Sequence, residues 1–191
     1  MTVNKPGATE LGYRRQADYL LTSDIEIARH RLSDWVGECE ADAVRRLGFL
    51  WHTTLDAPSA YPDLLAAYKR SVLTGDPLPV SATDSASVIF TSPRTNFAWR
   101  FVHDVAHVER RLSFSLADEF ELGMWHLSEL KRAGFSPASL EYAFLKADTL
   151  GQVVINAVTH RFPLDQELFD LECQHYDFIH GVLREIRRES S

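Results

Sequence analysis

The chain has 191 residues, 45% of them hydrophobic and 25% charged, with a formal net charge of −7, the make-up of one ordinary globular domain large enough to bury its own core. Its basic residues are scattered as short pairs (Arg14-Arg15, Arg45-Arg46, Arg110-Arg111, Lys131-Arg132, Arg187-Arg188), which argues against nucleic acid as the primary partner. Cys39 and Cys173 stand alone without CxxC spacing, so neither a disulfide framework nor a zinc knuckle is indicated, and no apolar run approaches the ~20 residues of a membrane helix. The expectation is a cytoplasmic protein with free thiols and no membrane contact.

Residues 1–11, with Pro6 and Gly7, read as a flexible leader, and residues 12–191 as a single helical domain. After Ser23 a long segment keeps a helical period through Ile25, Leu32, Trp35, Val36, Cys39, Val44, Leu47 and Leu50. Residues 56–62 break it, and a short helix over 62–73 stops at Gly75-Asp76-Pro77. Residues 75–95, rich in Pro and Ser, form one long irregular loop, within which Ser87-Val88-Ile89-Phe90-Thr91 reads as a short strand or extended segment.

Four helical signals follow. Thr95 or Asn96 caps a helix that runs to about Leu112, and Ser115 opens a second that Gly134 closes. Ser136-Pro137 opens a third, and Pro163 precedes a fourth over 164–188. The fold class predicted is mainly α, a helical bundle of about six to seven helices.

Polar rows run through three of these otherwise apolar helices. Asn96, Arg100, His103 and His107 share one face, at spacings of four, three and four, among Phe97, Ala98, Trp99, Phe101, Val102, Val105, Ala106 and Val108. Glu119 and His126 face one way on the next helix, with Gly123 leaving room between them for a close approach. Asp148, Gln152 and Asn156 form an i, i+4, i+8 row on the third. An unpaired buried polar group costs roughly 1–3 kcal/mol, so the rows are expected to meet, as metal and cofactor sites of bundles do. The structural alternative pairs Arg100 with Glu119 or Asp148 and leaves the histidines as hydrogen-bonded core residues. His30, His52, His160, His175 and His180 are scattered and read as lying outside any site.

Phe101-Val102-His103-Asp104-Val105-Ala106-His107 resembles the central motif of HD-domain phosphohydrolases. That resemblance implies an all-α fold in which His103 and Asp104 bind a divalent metal with a distal Asp, the place that Asp148 in Leu145-Lys146-Ala147-Asp148 takes. The same stretch resembles the zincin motif His-Glu-x-x-His with Asp104 in place of the glutamate, which implies zinc on His103 and His107 and Glu119 as third ligand. A longer pattern, Asn96-x-x-x-Arg100-x-x-His103-Asp104-x-x-His107, then Phe114-Ser115 with Glu119, then Ala147-Asp148-Thr149-x-Gly151-Gln152, resembles a set of uncharacterised bacterial and phage-associated helical proteins.

The leading expectation is a metal-dependent hydrolase acting on a small anionic substrate of the phosphoester or nucleotide type. His103, His107, Asp148 and Glu119 are the expected ligands of a divalent ion (Mn, Zn, Fe or Ni), Asp104, Glu119 and Arg100 the catalytic groups, and Asn96, His126 and Gln152 line the site; a homodimer is compatible with this. The alternatives are a zincin-like metallopeptidase and a non-enzymatic regulatory or phage-associated binding protein with a structural polar core.

Overall fold

The structure, a computed structural model, describes residues 8–83 and 89–188, with side chains from residue 22 onward except at Glu167. Its spine is α1 (Ala8–Leu47), which buries Ala28, Leu32, Trp35, Val36 and Ala43 at helical spacing. The helix begins within the stretch read as a leader, and residues 1–7 of that stretch lie outside the described residues.

Gly48, at φ 77°, turns the chain out of α1, and β1 (Trp51–Thr54) leads into α2 (Tyr61–Thr74). The next strand, β2 (Leu78–Ser81), returns parallel to β1 with Trp51 opposite Leu78 and Thr54 opposite Ser81. The segment read as an irregular loop over 75–95 therefore holds a strand at 78–81. Leu78 and Val80 point into the core, while Leu78 and Ala82 donate their N–H groups to Leu50 and Thr54. Pro79 is out of phase with those donors, so its missing N–H costs the ladder nothing. Of the expected strand, residues 87 and 88 lie outside the described residues, and Ile89 and Phe90 are buried without strand pairing.

The polar row lies on α3 (Pro93–Arg110), whose N-cap is Ser92, with its side chain accepting from Thr95 N–H. The cap thus falls earlier than Thr95 or Asn96, because Pro93 fits the first helical turn and Ser92 supplies the acceptor just before it. Ser115 caps α4 (Leu116–Arg132) as expected. The next helix is capped by Ser139, not Ser136. Ser136 instead closes a turn, its hydroxyl accepting from Ala138 N–H.

From there the chain is one continuous rod: α5 (Leu140–Lys146), a π turn (Ala147–Gly151) and α6 (Gln152–Thr159), right-handed at every junction. The predicted 164–188 helix is two, α7 (Gln166–His175) and α8 (Phe178–Arg188), parted at Asp177, whose φ is 114°. Counting the rod once gives seven helices among the described residues, a mainly α single domain as read from the sequence. None is long and apolar enough to cross a membrane.

Central α3 packs on α1, and α4 packs on the π turn. Two glycines set how closely the π turn can approach its neighbours. A Cβ on Gly123 would stand 2.4 Å from Leu150 Cδ2, and one on Gly151 would stand 2.7 Å from Phe169 Cζ. The close approach inferred at Gly123 is therefore made by Leu150. The π turn, wedged between α4 and α7, carries Asp148.

Candidate metal centre

His103 and His107 lie one turn apart on α3, and Glu119 enters from the first turn of α4. The two Nε2 atoms are 3.0 Å apart. Glu119 places Oε2 3.5 Å from His103 Nε2 and Oε1 3.4 Å from His107 Nε2. Among the described residues these three form the group of His, Cys, Asp or Glu side chains whose ligand atoms all fall within 4.8 Å of one another. With metal–nitrogen bonds of about 2.0–2.1 Å, the edges of a coordination polyhedron are about 3.3 Å in a tetrahedron and about 3.0 Å in an octahedron. The edge between the two Nε2 atoms has that size, and Glu119 brings a different oxygen to each of them, Oε2 to His103 and Oε1 to His107.

Hydrogen bonds behind the rings fix their orientation. His107 is fully buried, and its Nδ1–H donates to Leu112 O at 3.0 Å, which leaves Nε2 with a lone pair directed at the triangle. His103 Nδ1 meets His126 Nε2 at 3.2 Å. His126 is itself buried between the rings of Trp99 and Trp125, at 4.5 and 4.8 Å. Burial pushes both His103 and His126 below the ordinary imidazole range, the Glu119 carboxylate pulling His103 the other way. Burial pushes Glu119 up, but His103 and His107 outweigh it and hold the carboxyl well below its usual range. At neutral pH the triangle presents the anionic Glu119 carboxylate beside the uncharged His103 ring, an arrangement suited to a cation.

The triangle opens into a cavity of about 480 Å³ that also meets Arg100, Asp104, Asp148, Gln152 and Asn156. Burial pushes the Asp104 carboxyl up to about 7. The same cause takes Asp148 to about 6, against hydrogen bonds from Trp99, Gln152 and Gln166 that pull it down. The two glutamine amides both donate to Asp148 Oδ1, at 2.8 and 3.0 Å.

The three rows predicted to meet do so in large part. His103, Glu119, Asp148 and Gln152 share the cavity; His107 is not on its lining and meets the site through His103 and Glu119. Asp148 lines the cavity outside the ligand triangle, and Gln152 and Gln166 direct their amides at it. Arg100 sits on the wall and donates to the carbonyls of Ser81 and Thr83 at 3.0 and 2.5 Å, tying α3 to the end of β2. His126 does not line this cavity; it stands behind His103. Asn96 is also absent from the lining. It belongs to the first turn of α3, where its N–H donates to Ser92 O at 3.2 Å.

Sequence reading missed Leu112, Gln166 and Trp99, each of which orients a site residue. Leu112 acts through its backbone carbonyl, which no side-chain pattern marks. Gln166 lies eighteen residues from Asp148 and past a proline. Trp99 was read as core, which it also is. Comparison with protein-family models, curated proteins and solved structures returned no match.

Proposed function

We propose that this protein is a hydrolase of amide or ester bonds that uses one divalent ion held by His103, His107 and Glu119. The observation that carries this reading is the convergence of two Nε2 atoms, 3.0 Å apart, on one carboxylate whose Oε2 and Oε1 lie 3.5 and 3.4 Å from His103 and His107. It favours the zincin-like ligand set over the pairing of His103 with Asp104 and Asp148, since both aspartates lie outside the triangle.

A divalent ion supplies Lewis acidity, lowering the pKa of water and polarising the carbonyl oxygen. Asp104, on the same cavity wall and with a carboxyl close to neutral pH, takes the proton as the water oxygen bonds to the carbonyl carbon. The carbon–nitrogen or carbon–oxygen bond then breaks, and Asp104 returns the proton to the leaving atom. Asp148 and Gln152 keep the far wall polar and ordered.

Charge weighs against a phosphate dianion. Glu119, Asp104 and Asp148 face the cavity against the guanidinium of Arg100, so even a bound dication leaves little positive excess. The phosphoester reading retains one supporting observation, the presence of Arg100, Gln152 and Asn156 as donors on the wall.

Metal analysis of the purified protein after equilibration with Zn²⁺, Mn²⁺ or Fe²⁺ tests the proposal. One ion per chain in the wild type and none in His103→Ala/His107→Ala is the expected result; equal, negligible content in both sinks it. Turnover of p-nitrophenyl esters and anilides, set against p-nitrophenyl phosphates, then decides between carbonyl and phosphoryl substrates.

A further inference from the structure

The cavity is divided lengthwise. On α6, Gln152 and Asn156 form one strip, and Val153 and Ala157, each one position on, form a second strip beside it. Phe162, Phe114 and Leu116 add further apolar side chains to the same cavity lining. Phe114 lies edge-on against His107 with ring centroids 4.8 Å apart, and Leu116 sits one turn before Glu119 on α4, so apolar surface reaches the ligand triangle itself. Leu116 and Phe162 are 54% and 58% exposed, large apolar side chains left open to solvent at the cavity mouth.

We propose that the bond hydrolysed joins an apolar acyl chain or side chain, lodged along Phe114, Leu116, Val153, Ala157 and Phe162, to a polar portion facing Arg100, Asp148 and Gln152. This rests on the hydrolase reading above. The occupant of the apolar strip is part of the substrate, because the strip is continuous with the triangle and shares its cavity. Straight-chain hydroxamates test it, since the same head group can be offered with tails of two to eight carbons to the zinc-loaded protein by calorimetry. Each buried methylene is worth about fourfold in affinity, so burial of half of the six that octanohydroxamate adds should make it bind at least about thirtyfold more tightly than acetohydroxamate. Phe162→Ser and Leu116→Ser should each cut that advantage severalfold. Equal affinity along the series, no binding of octanohydroxamate, or an advantage untouched by both variants overturns the inference. Octanohydroxamate binding that is the same with and without zinc keeps the apolar strip and overturns the metal reading instead.

A separate observation concerns His126. The three imidazoles are spaced to form a directed chain. Leu112 O accepts from His107 Nδ1–H; in the neutral ring His107 Nε2 can then accept from His103 Nε2–H, which leaves His103 Nδ1 to accept from His126 Nε2–H. An ion on both Nε2 atoms needs His103 to carry its proton on Nδ1, which reverses the His103–His126 hydrogen bond. The buried ring of His126, clamped by Trp99 and Trp125, can donate or accept from the same Nε2. We infer that His126 is a positioning residue that satisfies His103 in both states by shifting its own proton from Nε2 to Nδ1, with no proton gained or lost by the pair.

Nitrogen-15 imidazole spectra read this directly. His103 should carry its proton on Nε2 without zinc and on Nδ1 with zinc. Zinc affinity, measured by chelator competition, should fall about 10- to 100-fold in His126→Leu and recover in His126→Gln, whose amide can turn to donate or accept. Bound zinc with an unchanged His103 tautomer, or no recovery in His126→Gln relative to His126→Leu, overturns the inference. Failure to bind zinc at all falls instead on the proposed metal site.

Discussion

Between α7, α8 and the α6–α7 connection the carboxylates of Glu172 and Glu185 are answered by the guanidiniums of Arg161, Arg184 and Arg188. Between α3 and α4 the carboxylate of Glu119 meets two imidazole rings. Both clusters are largely removed from water, yet only the first answers its carboxylates with guanidiniums. Glu185, with no exposed side-chain surface, accepts from Arg161 at 2.7 Å and from Leu164 N–H at 2.8 Å, and also pairs with Arg188. Such a cluster fixes the packing of two helices and leaves no acceptor turned toward a cavity. The α3–α4 cluster points its acceptors at one another and into a cavity, which makes it the one suited to a ligand. Burial alone does not mark a site; unmatched charge within a burial does.

The largest expected effect comes from breaking the closed cluster. Glu185→Gln leaves Arg161 short of its buried partner and should cost about 3–5 kcal/mol, read from urea denaturation. The pH dependence follows from the carboxyl's position. Burial pushes it up, but Leu164 N–H, Arg161 and Arg188 outweigh burial and hold it below its ordinary value of 4.5. A carboxyl held low contributes stability above its unfolded value and loses that contribution as pH falls through the folded one. Wild-type stability should therefore decline below pH ~4.5 more steeply than that of the variant. Parallel acid limbs would show that the cluster is not a net source of stability.

Glu119→Gln is the matching change in the open cluster, and it should act on ligand binding rather than on the fold. Wild-type protein at 100 times the zinc dissociation constant gains about 2.7 kcal/mol, seen as a raised melting temperature. The variant should lose most of that gain while its metal-free melting temperature stays within a few degrees of wild type. If metal-free stability instead drops as far as in Glu185→Gln, the two clusters are alike and the comparison fails.

How much of this was legible in the sequence depends on the range of each interaction. The His103/His107 pair is a local consequence of helical spacing, and Glu119 followed from the next amphipathic face. The row Asp148/Gln152/Asn156 was also found, since its members do share the cavity. The partners that occupy Asp148 were not found, because Gln166 reaches it from α7 across the α6–α7 connection and Trp99 from another helix. The break at Asp177 escaped notice because neither Gly nor Pro marks it. Its carboxylate instead accepts the N–H of His180 within α8, at 2.9 Å. Strand β2 was missed because four residues containing Pro79 carry too little alternation to stand out from a loop.

The π turn offers a smaller test, placed between the two clusters. Alanine in a helix is ordinarily favoured over glycine by up to about 1 kcal/mol. At Gly151 the added Cβ would stand 2.7 Å from Cζ of Phe169, a ring with no exposed surface in which to move. Overpacking of this kind costs roughly 1–3 kcal/mol, so the clash should win and Gly151→Ala should destabilise. A stabilised variant would mean that the π turn relaxes freely, and that Asp148 is not held in place by its neighbours.

The smallest effect expected is at Ser92. Its hydroxyl accepts from Thr95 N–H at 3.1 Å and lies 2.9 Å from the Thr95 hydroxyl, so Ser92→Ala should cost about 1 kcal/mol. Asn96→Ala, which alters the residue first read as a cap, should change stability by less, since the cap hydrogen bond to Thr95 N–H comes from Ser92. The cap lies eleven residues before His103, roughly three helical turns. Fraying of the first turn should therefore leave the ligand triangle intact and zinc affinity unchanged. A fall in zinc affinity with Ser92→Ala would show that the triangle depends on the whole of α3 and not on the turn that carries its two histidines.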